Sequence, residues 1–186
     1  MYYLVDTNVF LHTIDSEIGE VASKCKESGS DITITQTILD ELCPGIYKEC
    51  DDPSSKEVYN SVSNYVDGRM GFKLIKKLDI NDITEAKKEL KKIRDRYYKW
   101  TRDPIYLNKL IQEGKLTKED IRKKSFRNKD LGECELVAIA VTDPDIYEIV
   151  SNDRGRVYMH PDQNIYDSYK DRVRILTGEE WLEIIK

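Results

Sequence analysis

The chain reads as an α/β protein, and three observations carry that prediction. Short apolar runs with strand character alternate with segments of helical periodicity along the 186 residues. Several of those runs end in a carboxylate where a strand would hand over to a helix, as Tyr2-Tyr3-Leu4-Val5 does at Asp6. No internal repeat, low-complexity tract or Gly/Ser-rich linker breaks the alternation. The length suits one core, so a single domain over residues 1–186 is expected.

Residues 2–5 form a buried strand, 8–12 a short helix, 15–27 a second helix, 32–35 a strand and 36–43 a helix stopped by Pro44-Gly45. Pro53-Ser54-Ser55 opens a helix through Val58, Val62 and Val66. Gly68 and Gly71 end it ahead of an edge strand, Phe72-Lys73-Leu74-Ile75. Residues 82–100 make the clearest helix, because Ile83, Ala86, Leu90, Ile93 and Tyr97 recur at three and four while Lys and Arg take the other faces. The polar, basic stretch 101–129, broken by Asp103-Pro104 and Gly114, reads as a helical excursion or a mobile arm. A helix over 131–141, strands over 146–150 and 173–176, and a closing helix over 179–185 complete the order. Residues 155–172 carry no clear pattern.

No stretch reaches the ~20 apolar residues of a membrane span, and the N-terminus shows no basic region followed by an apolar signal core. A soluble, cytoplasmic protein is therefore expected. The four cysteines, Cys25, Cys43, Cys50 and Cys134, make no CxxC pair and no Cys/His set with zinc spacing, and read as reduced structural thiols. The net charge of -5 conceals an asymmetry. Residues 68–129 hold 20 Lys+Arg against 9 Asp+Glu, net +11, which leaves 10 against 26, net -16, in the flanks. A basic segment in an acidic frame suits either a phosphate-binding surface or an ordinary solvated helix face.

Three further acids stand at junctions like that of Asp6: Glu41 in TILDEL, Glu135 in GECEL and Asp153 in IVSNDRG. Each taken singly has a plainer use, since an Asp after a strand commonly caps the next helix and a Glu on a helix is commonly solvated. Gathered at the carboxyl edge of a parallel sheet, they would repel one another unless a cation neutralised them. An all-oxygen set without His or Cys suits Mg2+, with Mn2+ as the close alternative, as one or two ions. His12 and His160 lie in no Ser or Cys partner pattern and read as structural or surface residues.

The order and surroundings of these acids carry a family resemblance. LVDTNVFL, TQTILDEL, LGECELVAIA and IVSNDRG are similar to the sequence blocks of PIN-domain nucleases, and VRILTGEEWL resembles that family's closing strand and helix. The likeness spans most of residues 1–44 and 130–182, while 45–129 shares only a general α/β rhythm. It implies a three-layer α/β/α sandwich whose central, mostly parallel sheet gathers the acids at one edge, with a basic helical insertion at about 101–129. It also implies metal-dependent endonucleolytic hydrolysis of RNA, with products carrying 5′-phosphate and 3′-hydroxyl ends. Carried over by position, Asp6, Glu41, Glu135 and Asp153 are the catalytic and metal-binding acids, with Asn8 and Ser151 as polar supports. Glu133 competes with Glu135, the two lying about 200° apart around a helix axis. Glu135 is preferred because the apolar run from Leu136 to Ala140 follows it directly, as after the family's third acid. Asp40 competes with Glu41 for a similar reason.

The toxin of a toxin-antitoxin pair is the leading setting that the resemblance suggests, with an antitoxin protein as partner. RNA processing competes with it, since residues 101–129 are additional length beside compact PIN-type toxins, and a homodimer is left open. Arg94, Tyr98, Lys99, Arg102, Lys123, Lys124 and Arg127, interleaved with Tyr97, Trp100 and Phe126, are the candidate RNA contacts. The alternative places Tyr97 and Trp100 in the core. Two other classes are weighed. An aspartyl-phosphate phosphatase needs a second Asp two residues after the first, where this chain has Asn8. A non-catalytic PIN-like module that binds RNA or protein is expected to have lost acids that this chain keeps.

Overall fold

The computed structural model describes residues 1–43, 53–69, 71–123, 126, 128–152 and 165–186. Five short strands are β1 (Tyr2–Val5), β2 (Asp31–Thr35), β3 (Ile75–Leu78), β4 (Tyr147–Val150) and β5 (Ile175–Leu176). They form one sheet in the order β3-β2-β1-β4-β5, with every pair parallel. Leu4, Val5, Ile32, Ile34, Ile149 and Val150 are fully buried, because strands covered by helices must be apolar on both faces. The α/β class expected from the alternation is what forms, and helices packed on an all-parallel sheet are consistent with a three-layer sandwich.

The helices follow the crossover logic of parallel strands. Helices α1 (Thr7–His12) and α2 (Ile18–Glu27) join β1 to β2, and α3 (Gln36–Leu42) and α4 (Pro53–Asp67) join β2 to β3. Between β3 and β4 come α5 (Thr84–Tyr97), α6 (Pro104–Gln112), α7 (Lys118–Arg122) and α8 (Leu131–Ala140). Helix α9 (Ile165–Tyr169) precedes β5, and α10 (Gly178–Ile184) follows it. Short 3-10 turns at Ile80–Asp82 and Lys99–Arg102 flank α5. No helix among the described residues is long and apolar enough to cross a membrane.

Two expectations shift in position. The edge strand is residues 75–78 rather than 72–75, because pairing with β2 is set by Ile75 opposite the buried Ile32, which leaves Phe72 in solvent. The helix expected over 82–100 ends at Tyr97 and passes into a 3-10 turn at Lys99. The basic stretch expected as an excursion or arm contains two helices, α6 and α7. Asp103 caps the first through the backbone N–H groups of Ile105 and Tyr106, and Thr117 with Asp120 forms a capping box on the second. The stop at Pro44-Gly45 lies outside the described residues.

Candidate active site

The strand order places Asp6 where the sheet's connections reverse direction. From β1 the chain moves out to β2 and β3, and it returns on the other side of β1 as β4 and β5. The crevice between the carboxyl ends of β1 and β4 is the topological switch point, where open α/β sheets bind ligands. Asp6 follows β1 there, and Ser151 follows β4.

Asp6 is buried and hydrogen-bonded on both carboxylate oxygens. Its Oδ1 accepts from the backbone N–H of Thr7 at 2.7 Å, which makes it the N-cap of α1. Its Oδ2 accepts from the Ser151 hydroxyl at 2.6 Å, from Asn8 Nδ2 at 3.1 Å and from the Tyr166 hydroxyl at 3.1 Å. Asn8 Nδ2 also reaches Ser151 Oγ at 3.3 Å, while its Oδ1 accepts the N–H of Asn152 at 3.0 Å. Asn152 continues the bracing: its amide donates to Thr13 Oγ1 at 2.7 Å and its oxygen accepts from the N–H of Gly178 at 2.9 Å. The expected supports, Asn8 and Ser151, therefore do touch Asp6. The same residue serves as a helix cap and as the hub of a polar network.

Glu41 reaches this crevice from the last turn of α3. Its Oε2 accepts the Thr7 hydroxyl at 2.8 Å, and it also takes a hydrogen bond from the backbone N–H of Gly132 at the start of α8. Burial, then the charge of Asp6, push the Glu41 carboxyl up to about 8, against which those two hydrogen bonds pull. Asp40, the competing residue, turns away and accepts Gln36 Nε2 at 2.8 Å on the helix surface.

On α8 both competing glutamates lie within reach of the other acids, in different surroundings. Glu133 is the residue that shares the field of Asp6 and Glu41, together with Asp130, and burial followed by those charges raises its pKa well above the ordinary carboxylate value. Glu135 is buried at the carboxyl end of β2, where the Thr37 hydroxyl donates to its Oε1 at 2.8 Å, and its charge also adds to the rise at Glu41. Burial raises the pKa of Glu135, hydroxyl contacts from Thr35 and Thr37 oppose the rise, and its acidic neighbours are Asp79 and Asp40. The 200° separation on the helix thus divides the pair between two environments. Asp153 lies outside the described residues.

In its comparison with known proteins, the chain matches no family model, no curated protein and no solved structure. Its own geometry is therefore what speaks for function.

The donor set fits a hard divalent cation in kind, since every polar atom near Asp6, Glu41 and Glu133 that would serve as a ligand is oxygen and two of the carboxyls are strained toward protonation. Among the described residues, no three acidic, His or Cys side chains already stand as a set of metal ligands. The three acids interact through their charges, and the hydroxyls of Thr7, Ser151 and Tyr166 occupy the carboxylate oxygens of Asp6 and Glu41.

The candidate RNA contacts separate into three groups. Arg94 and Tyr98 are buried: the guanidinium stacks 4.4 Å over the Tyr98 ring, donates to the Lys129 carbonyl and lies 3.9 Å from Cys134 Sγ. The Tyr98 hydroxyl donates to Asp130 at 2.9 Å. These two residues tie α5 to the start of α8 and are withdrawn from the surface. Lys99, Arg102 and Lys123 are exposed, Arg102 beside Asp95 at 3.9 Å and Lys123 on Asp120 at 2.7 Å. Lys124 and Arg127 lie outside the described residues. Tyr97 is buried in the core, in line with the alternative reading, whereas Trp100 is half-buried outside it, packed edge-on against Tyr106 at 6.4 Å and Phe126 at 5.8 Å.

Sequence reasoning missed Thr7, Asn152 and Tyr166. Tyr166 sits in the stretch without a clear pattern, and no local signal ties it to Asp6, 160 positions away. Thr7 could have been found, because it directly follows Asp6 in the first turn of α1.

Proposed function

We propose that this protein is a metal-dependent endoribonuclease of the PIN type, cutting phosphodiester bonds to leave 5′-phosphate and 3′-hydroxyl ends. The observation that carries the reading is the buried, multiply hydrogen-bonded Asp6 at the switch-point crevice, bridged through Thr7 to Glu41, where burial and the charge of Asp6 hold both Glu41 and Glu133 against ionisation. Carboxylates placed so are stabilised by a cation. The five-stranded parallel sheet and the bracing of Asp6 by Asn8 and Ser151 support the same reading.

Asp6, Glu41 and Glu133 would hold Mg2+ or Mn2+, with Asp153 as the fourth acid. When bound, such an ion supplies an activated water, charge neutralisation and stabilisation of the departing oxygen. The chain's own part is positional. Asn8, Ser151 and Tyr166 fix the Asp6 carboxylate, and Thr7 and Gly132 fix Glu41. A toxin partnered by an antitoxin is the leading setting, RNA processing the second, with the cytoplasm as the compartment and a homodimer as an arrangement to be tested.

A non-catalytic binding module is the second reading, favoured by the hydroxyl-occupied carboxylates and the absence of a ready ligand set among the described residues. Cleavage of mixed 5′-labelled RNAs with Mg2+, Mn2+ or EDTA separates the two. Parent protein should cut only with metal. Asp6→Asn and Glu133→Gln should each lose on the order of 100-fold or more, as expected when ion-holding charge is removed, while Glu135→Gln retains most activity. Equal activity in a folded Asp6→Asn protein overturns the nuclease reading, and salt-sensitive binding without cutting selects the module.

A further inference from the structure

The net +11 of residues 68–129 has a place in the fold that the buried Arg94 and Tyr98 do not provide. Beside the edge strand β3 lies an open groove of about 640 Å3, lined by Lys26, Lys73, Lys76 and Lys77 with Asp31 and Asp67. Both acids are already engaged, Asp31 by Lys26 and Asp67 by Arg69. Among the described residues, no ion pair within 4 Å engages Lys73, Lys76 or Lys77: Lys76 rests 4.5 Å over the Tyr2 ring, and Lys77 donates to the neutral Gln36 side chain at 2.7 Å while acting on Asp79 only through its field. Four lysines against two acids leave the groove lining net positive. Directly before Lys73 stands Phe72, 66% exposed.

Edge strands often carry lysines to discourage pairing with other chains, and that use accounts for Lys76 and Lys77 alone. It does not account for a phenyl ring kept in water one residue before the groove-lining Lys73. Cations that track a backbone next to an aromatic platform are the combination that binds single-stranded nucleic acid. The groove adjoins the helix that carries Glu41. Lys77 touches Gln36, which opens α3, and Glu41 lies five residues further, roughly 7.5 Å along the helix.

We infer that the lysine-lined groove beside β3 binds the phosphodiester backbone of single-stranded RNA outside the cleavage centre, with Phe72 stacking on a base. The inference rests on the nuclease reading for its substrate. It makes the strand run from the acids past the start of α3 and along the edge of the sheet.

The test is fluorescence anisotropy of a labelled, unstructured RNA in EDTA over a salt series. The triple variant Lys73→Ala, Lys76→Ala, Lys77→Ala should bind at least tenfold more weakly and lower the log-log salt slope by about 2, as three lost phosphate contacts on a single strand require. Phe72→Ala should weaken binding roughly tenfold with the slope unchanged. A control that removes equal charge from α5, Lys87→Ala, Lys88→Ala, Lys91→Ala, should stay close to the parent. All substituted side chains are exposed, so the variants should fold as the parent does. Equal weakening in triple and control, or an unaffected Phe72→Ala, overturns the site. Cleavage of the same RNA with Mg2+, scored beside its affinity, separates the two proposals. Parent cutting with unaltered RNA affinity in the triple variant sinks the groove alone. No cutting by the parent, with affinity lost in the triple variant, sinks the nuclease reading alone.

Discussion

Asp6 shows how much a single side chain can be asked to do. Its two oxygens take a backbone N–H, two hydroxyls and an amide, so its position is set before any ligand arrives. Glu41 is less comfortable, and that has a measurable consequence. Its folded-state pKa, raised to about 8, lies above its ordinary value of 4.5, so between those limits the folded chain keeps a proton that the unfolded chain has released. This contribution to stability is complete below about pH 4.5 and is lost as pH rises through about 8. Glu133 acts in the same direction. In EDTA, Tm should therefore fall from pH 5 to pH 8, and Glu41→Gln should flatten the fall. Mg2+ at pH 8 should return the loss to the parent more fully than to the variant. A parent Tm independent of pH over that window would mean that Glu41 is well solvated.

Helix α8 explains why the surroundings of Glu133 and Glu135 could not be read from spacing. From Cys134 to Ala140 every residue is buried, Glu135 included, so the helix presents no solvent-facing stripe from which its rotation could be inferred. Packing against α3, α5 and the sheet supplies the rotation and turns Glu133 toward Asp6. Gly132 is the point of closest approach between α8 and α3. A Cβ there would meet Ile38 Cδ1 at 2.7 Å and both Glu41 carboxylate oxygens at 2.9 Å. Gly132→Ala should cost about 1–3 kcal/mol in urea unfolding through overpacking, despite the better helix propensity of Ala, and should reduce cleavage by displacing Glu41. A more stable, fully active variant would show that α8 can shift without consequence.

Across the whole molecule, the contiguous core runs from Tyr3 to Ile185 and includes Tyr97 and Tyr98, yet Leu107 and Leu110 of α6 are buried outside it. Helix α6 therefore rests on a local cluster with the Lys99–Arg102 turn and Trp100. Regions with few contacts to the main core open at lower free energy. The two tryptophans report on the two parts: Trp181 is fully buried against Tyr3, and Trp100 sits in the satellite cluster. With Trp100→Phe and Trp181→Phe variants, the Trp100 signal should change at lower denaturant than the Trp181 signal. Coincident transitions would mean that α6 folds as one cooperative unit with the sheet.

Sequence alone determined the α/β class and most of the element order, because strands buried on both faces and amphipathic helices write their burial into local periodicity. Acids at strand and helix ends are legible for the same reason. It could not decide between Glu133 and Glu135, since a helix buried on every side has no periodicity to read. It also could not place Tyr166 on Asp6 or withdraw Arg94 and Tyr98 from solvent. Those outcomes depend on which elements meet, and a five-stranded sheet that reverses direction between β1 and β4 brings together side chains separated by 145 and 160 positions. Only the tertiary structure decided them, because rotation, register and burial are settled by packing between distant segments rather than by the spacing of neighbours.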